Sequence, residues 1–200
     1  MSDHHHDSLN ARNFTDKIAF LDGVQRRNIF PPEEILKMLS IKKSGSILDA
    51  GAGSGYLTIP AAKLVEGCVY ALDMDTRMLE VINAKAKAEN ITNIQLLQGS
   101  IDNIPLPEGS VDLALASLIL HEVRPLSKVF QQISHVLKQD GYFLCLEYEK
   151  KESILKGPPM NLRINSSEME EELVNAGFSI VQKVFPIESI YIITAKKSGG

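Results

Sequence analysis

Apolar positions along the chain change period several times, and each change marks a new element. SILDA, CVYALD and NIQLLQ are apolar runs too short for a helix and suited to buried strands. Between them, YLTIPAAKLV and DTRMLEVINAKAKAEN carry apolar residues three and four apart, with Met78, Leu79, Ile82 and Ala86 on one helical face. Asp75 is placed to cap the second of these helices. Pro60 is tolerable in the first turn of the other, where its missing amide breaks no bond. VDLALAS is a continuous apolar run, as expected for a central parallel strand covered on both faces. LSKVFQQISHVLKQ then sets Val129, Phe130, Ile133, Val136 and Leu137 on one face, and Asp140-Gly141 is expected to end that helix before the strand YFLCLEY.

Upstream, Pro31-Pro32 followed by EEILKML has the proline and acidic residues of a first helical turn. Downstream, SSEMEEELVNAG shows a capping-box pattern from Ser167 to Glu170 and a closing Gly177. FSIVQKVFP and SIYIITAKK are joined by so short a link that they must form an antiparallel hairpin. Repeated strand-helix units with a terminal hairpin predict an α/β fold built on a doubly wound, mostly parallel sheet of seven strands. All 200 residues are expected to form one domain, 1–200. Residues 1–30 would be a helical cap anchored by Phe14, Ile18, Phe20 and Leu21, and 31–200 the core.

Hydrophobic residues are 44% and charged residues 23%, the balance of an ordinary globular protein. The longest apolar runs stop short of the ~20 residues that cross a bilayer, and no charged-then-apolar signal segment opens the chain, so a cytoplasmic protein with no membrane span is expected. A net charge of -4 argues against nucleic acid as a partner, because phosphate binding needs clustered Lys and Arg. Cys68 and Cys145 lie in apolar runs and read as structural thiols. The His4-His5-His6 run, flanked by Asp3 and Asp7, reads as a frayed end or as the remnant of an added tag, and no metal site is expected.

Chemistry concentrates in ILDAGAGSG. In an open parallel sheet the loop after the first strand lies at the ligand-binding end, and glycines there let backbone approach a ligand closely. A dinucleotide fingerprint runs G-x-G-x-x-G, whereas here Gly55 comes one residue early and Tyr56 stands in the third glycine's place. Asp49, two residues before Gly51, is unfavourable beside a pyrophosphate and favourable beside an ammonium or sulfonium. About twenty residues on, Asp73 ends the second strand, positioned to accept from two ribose hydroxyls. Two carboxylates and a glycine turn describe a cationic nucleoside better than a dinucleotide.

With these features the chain resembles the class I methyltransferases that use S-adenosylmethionine, in particular the type 11 group that includes ubiquinone/menaquinone-biosynthesis-like enzymes. The resemblance runs over about residues 31–150, through ILDAGAGSG, VYALDMDTRMLEVI, LLQGSIDNIPLPEGSVDLALASLILHEV and HVLKQDGYFLCLEY. It implies a Rossmann-like fold and S-adenosylmethionine as cofactor, with S-adenosylhomocysteine as product. It places Asp49 and the Gly51, Ala52, Gly53 and Gly55 backbone at the methionine moiety, Asp73 at the ribose, Met74 and Ile101 around the adenine, and Ser117 and Leu118 near the methyl group. Ser100 stands where the family often has an acidic residue contacting the adenine amino group. Tyr56 would wall the cofactor pocket.

Methyl transfer needs alignment rather than a nucleophilic side chain, and a base only when the acceptor must lose a proton. His121, directly after SLIL, is the candidate base, with Glu122 beside it; Arg163 is the candidate contact for an acidic substrate group. Arg26 and Arg27 are expected to face solvent. So little chain remains for an acceptor pocket that a small molecule is the expected substrate, with the oligomeric state left open. Two rivals stand beside this expectation: a nicotinamide-dependent oxidoreductase, and a non-catalytic module that binds an adenosyl cofactor.

Overall fold

A computed structural model describes residues 14–152 and 157–198 of the chain. Its seven strands are β1 (Ile47–Ala50), β2 (Val69–Asp73), β3 (Ile94–Gln98), β4 (Val111–Ser117), β5 (Leu137–Tyr148), β6 (Phe178–Ile187) and β7 (Ile190–Lys197). They form one sheet in the order β3-β2-β1-β4-β5-β7-β6. The first five are parallel, and β7 runs antiparallel to both β5 and β6. The helices are α1 over 14–21, α2 (Val24–Ile29), α3 (Pro32–Lys37), α4 (Thr58–Leu64), α5 (Thr76–Ala88), α6 (Leu126–Val136) and α7 (Ser166–Asn175).

Apolar runs become the central strands for the expected reason. All four residues of β1 are buried, and β4 is buried at Val111 and from Leu113 through Ala116. One face of the sheet packs against α6, where Phe130 meets Phe143 edge to face at 5.9 Å. On the other, Ile35, Leu36 and Leu57 cover Ile47, Leu115 and Leu144. Strand order reverses at β1, which pairs with β2 on one side and β4 on the other, so a crevice opens beyond its carboxyl end.

Two boundaries differ from expectation. Helix α6 ends at Val136, not at Asp140-Gly141, because Leu137 turns extended, is fully buried and pairs with Val111. Lys138 joins Asp112 at 2.7 Å, and Asp140, at a φ of 62°, absorbs the register shift before Tyr142 rejoins Leu113. Helix α7 is capped by Asn165, whose side chain accepts from the Ser167 amide, so Ser167 lies inside the first turn. Glu170 pairs instead with Lys183 of β6 at 2.5 Å. Asn165→Ala is therefore expected to cost ~0.5–2 kcal/mol of stability in urea unfolding, and Glu170→Ala within ~0.5 kcal/mol.

Helices α1 and α2 lie over the carboxyl end of the sheet. Asp22 between them accepts from Ser54 Oγ at 2.8 Å and Lys85 Nζ at 2.7 Å, and the Arg77 guanidinium sits 4.6 Å from the Phe14 ring. The His4-His6 run lies outside the described residues. Among those described, no helix is long and apolar enough to cross a membrane, and no group of His, Cys, Asp and Glu is placed to hold a metal ion.

Candidate active site

After β1 the backbone turns through Gly51, Gly53 and Gly55, all at positive φ. A Cβ at Gly51 would stand 2.5 Å from Ile119 Cγ1, and one at Gly55 2.9 Å from Ile82 Cγ1. At Gly53 it would meet only the Leu21 side chain, at 3.4 Å. The three positions thus have different tasks. Gly51 and Gly53 line the crevice, but of the three only Gly53 has open space beside it: the space beside Gly51 is filled by Ile119 and that beside Gly55 by Ile82 of α5, so these two serve packing of the turn and Gly53 the approach of a ligand.

Asp73 ties this turn to the end of β2. Its Oδ2 accepts from the Gly53 amide at 2.8 Å and its Oδ1 from the Asp75 amide at 2.9 Å. The crevice, about 260 Å³, is lined by Gly51, Gly53, Asp73, Met74, Ser100, Ile101, Ser117 and Leu118, with Lys17 and Leu21 reaching in from α1. Met74 is 70% exposed, an apolar side chain left open at the rim. The Ser100 hydroxyl donates to the Asp102 carboxylate, which spends its proton within the loop and leaves its oxygen as an acceptor.

A small cavity of about 20 Å³ adjoins the turn, bounded by Asp49, Ala52, Tyr56 and Arg26. Asp49 is buried; burial pushes its carboxyl up to about 6, against the opposing pull of the Thr58 hydroxyl, which donates at 2.6 Å, and of the Arg26 charge. Arg26 does not face solvent. It is 7% exposed, its guanidinium lies 3.9 Å from the centre of the Tyr56 ring, and it donates to Ser117 Oγ at 2.9 Å and the Leu21 carbonyl at 3.1 Å. The aromatic face and these acceptors offset the cost of burying the cation. Its Nε is buried without a hydrogen-bond partner among the described residues. Tyr56 lies beneath this group, its hydroxyl donating to the Phe30 carbonyl at 2.9 Å, and lines the small cavity rather than the main crevice.

A third cavity, about 510 Å³, shares Lys17, Leu21, Leu118 and Glu122 with the crevice. Leu118, at the junction, holds a φ of 56°, a left-handed conformation that costs a non-glycine residue ~1–3 kcal/mol and is concentrated at functional sites. His121 follows in a short 3₁₀ turn, Leu120–Glu122. Its Nδ1 stands 2.9 Å and 3.1 Å from the two carboxylate oxygens of Glu147, a fully buried residue near the end of β5. The same carboxylate accepts from the Leu120 amide at 2.8 Å and the Tyr148 amide at 3.1 Å. Burial opposes the imidazolium, but the hydrogen bond and charge of Glu147 outweigh it, and the His121 pKa is raised above its ordinary value.

Arg163 is placed apart from this cavity. It is buried, with Nε donating to the Pro158 carbonyl at 3.0 Å, another nitrogen donating to the Lys151 carbonyl, and its guanidinium 5.2 Å from the Tyr148 ring. It holds its own loop against Tyr148. Glu147 and Lys17 were not among the residues the sequence singled out, and Arg26 was expected in solvent. Only Glu147 left a trace, as a carboxylate inside the otherwise apolar YFLCLEY.

A family model described as a methyltransferase domain matches residues 41–187, and the chain belongs to that family. Demethylmenaquinone methyltransferase of Geobacillus stearothermophilus is 30% identical over 124 residues, 61% of this chain and 53% of the relative. Ribosomal protein L11 methyltransferase of Legionella pneumophila is 36% identical over 91 residues, 46% of this chain and 30% of the relative. The chain thus spans about half or less of the length of these curated relatives. A crystal structure of a SAM dependent methyltransferase from Aquifex aeolicus superposes with a TM-score of 0.84 at 28% identity, covering 91% of this chain and 97% of that one.

Proposed function

We propose, from the premise of membership in the methyltransferase family, that the chain binds S-adenosylmethionine in the crevice and transfers its methyl group to a small molecule. The observation that carries this is the tie between Gly53 N and Asp73 Oδ2 at 2.8 Å, which holds a bare glycine turn and a carboxylate side by side in one crevice at the strand-order reversal. Such a crevice suits a nucleoside lying along the turn, with Asp73 free to accept from ribose hydroxyls through its remaining lone pairs.

The donor supplies an electrophilic methyl group on a sulfonium. Everything else falls to the chain's residues. Gly53 gives close approach while Gly51 makes room for Ile119 at the crevice wall, Asp73 takes the ribose, and Met74, Ile101 and Ser100 surround the adenine position. Asp49 and Arg26 offer opposite charges beside the turn and match the ammonium and carboxylate of an amino-acid end, the unpartnered Arg26 Nε being a donor in waiting. A pyrophosphate would meet two carboxylates at the same turn, which disfavours the nicotinamide alternative. Holding donor and acceptor in line is worth up to roughly 7–11 kcal/mol in well-oriented systems.

The acceptor enters this proposal through the cavity of about 510 Å³ beside the crevice, a volume suited to a drug-sized metabolite. Methyl-labelled S-adenosylmethionine incubated with a metabolite extract is expected to deliver label to the low-mass fraction. Label confined to protein would contradict a small-molecule acceptor. Binding without transfer to any fraction would favour the non-catalytic module.

Asp49 adds a pH signature. Its folded-state pKa of about 6 lies above its ordinary value of 3.8, so the stability it contributes is greatest below about pH 4 and is lost as pH rises through 6. A cationic ligand group beside it favours the carboxylate, so binding near pH 5.5 is expected to release a proton and to strengthen toward pH 7. Calorimetry at pH 5.5 in two buffers of different ionisation heat measures that release, which should vanish in Asp49→Asn. Equal apparent heats in the unmodified protein would remove Asp49 from the ligand's cationic end.

A further inference from the structure

We propose, resting on the methyltransferase assignment above, that the acceptor is a neutral apolar molecule bearing a phenolic or enolic hydroxyl, whose proton passes to His121 Nε2 while Glu147 holds the imidazole in position. The cavity beside His121 is walled by Phe20, Leu118, Tyr148, Pro158 and Leu162, and so selects an apolar body. Glu147 already accepts from three backbone amides, those of Leu120, His121 and Tyr148, and it can only accept from Nδ1. That bond fixes the neutral tautomer with hydrogen on Nδ1 and the lone pair on Nε2. The group nearest Nε2 among the ion pairs of the described residues is the Glu122 carboxylate at 3.9 Å, beyond hydrogen-bond range and largely exposed to water.

A base so placed discriminates among acceptors. A thiol, ordinarily near about 8.5, ionises without much help, and a carboxylate needs no base and resists entry into apolar surroundings. An alkyl amine would arrive as a cation, costly to desolvate into a cavity that Lys17 also lines. A phenol or enol, near about 10, arrives neutral and reacts only as its proton leaves. In the balanced step the O–H bond breaks with its proton going to Nε2, the oxygen electron pair forms the new O–C bond, and the C–S pair leaves with sulfur as a neutral thioether. Glu147 touches neither reactant; it is a positioning residue.

Charged and titratable groups around His121 are Glu147 from β5, Glu122 from its own turn, Arg124 just after that turn, Tyr148 edge-on at 6.0 Å, and Lys17 from α1. Nitrogen-detected NMR of the full chain should show His121 as the Nδ1–H tautomer with a pKa above the ordinary value, and Glu147→Gln, checked for folding by circular dichroism, should lower that pKa. With S-adenosylmethionine binding first established by calorimetry, 2-naphthol, 2-(aminomethyl)naphthalene and 2-naphthalenethiol are offered as matched acceptors. Methylation of the naphthol oxygen is expected, falling by about 10²- to 10⁴-fold in His121→Ala. In Glu147→Gln the acid limb of its pH profile should move with the NMR pKa. Failure to bind S-adenosylmethionine defeats the underlying assignment. Binding without naphthol ether formation, or with transfer to the amine or thiol, overturns the acceptor class, and the Nε2–H tautomer overturns the role of Glu147.

Discussion

Asp73→Ala is expected to weaken S-adenosylmethionine binding by about 5- to 150-fold, equivalent to ~1–3 kcal/mol. Two losses combine in that figure. The ribose hydroxyls would lose a charged acceptor, and the Gly53 and Asp75 amides, which now donate to the carboxylate at 2.8 Å and 2.9 Å, would lose the partner that fixes the turn. The free protein should therefore also lose stability, by ~1 kcal/mol for each uncompensated bond. Calorimetric affinity well below the melting temperature separates the two effects. An unchanged dissociation constant would mean that the ligand does not lie along β2 and the glycine turn.

Gly51→Val is expected to be more severe. A side chain at the φ of 76° found there costs ~1–2 kcal/mol, and a Cβ 2.5 Å from Ile119 Cγ1 adds ~1–3 kcal/mol of overpacking. Ile119 follows Leu118 at the junction of crevice and cavity, so the strain would be relieved by displacing the wall between donor and acceptor. Binding should fall below detection with a melting temperature reduced by several degrees. Gly55→Ala provides the contrast. Its Cβ meets Ile82 of α5, away from the crevice, so stability should fall while the affinity of the folded fraction stays near that of the unmodified chain. Equal loss of affinity in both variants would contradict the division of labour among the glycines.

Much of the fold is legible in the sequence because short-range signals and tertiary packing agree. VDLALAS is apolar throughout and becomes a central strand; Asp75 begins its helix and caps it. Where they disagree, packing wins. Asp140-Gly141 is a helix stop by composition, yet the pairing of Leu137 with Val111 ends α6 earlier and draws 137–141 into β5. The crevice was readable from ILDAGAGSG and Asp73, whose chemistry depends on a turn and the end of the next strand. Arg26 was not, because its burial depends on Tyr56 and Ser117, 30 and 91 positions away, and a six-residue helix has too little periodicity to show an inward face. Glu147 illustrates the same limit. A carboxylate in a buried strand signals a partner, but only the fold brings His121 to it across 26 positions.

In the proposed reading, the glycine turn, Asp49 and Asp73 together suit a cationic adenosyl ligand in the crevice better than a pyrophosphate-bearing one. Isothermal titration of the full chain with S-adenosylmethionine and, separately, with NAD tests that claim most directly. Saturable binding of S-adenosylmethionine at one site per chain, with no measurable heat from NAD, is the expected result; binding of NAD alone would contradict the account.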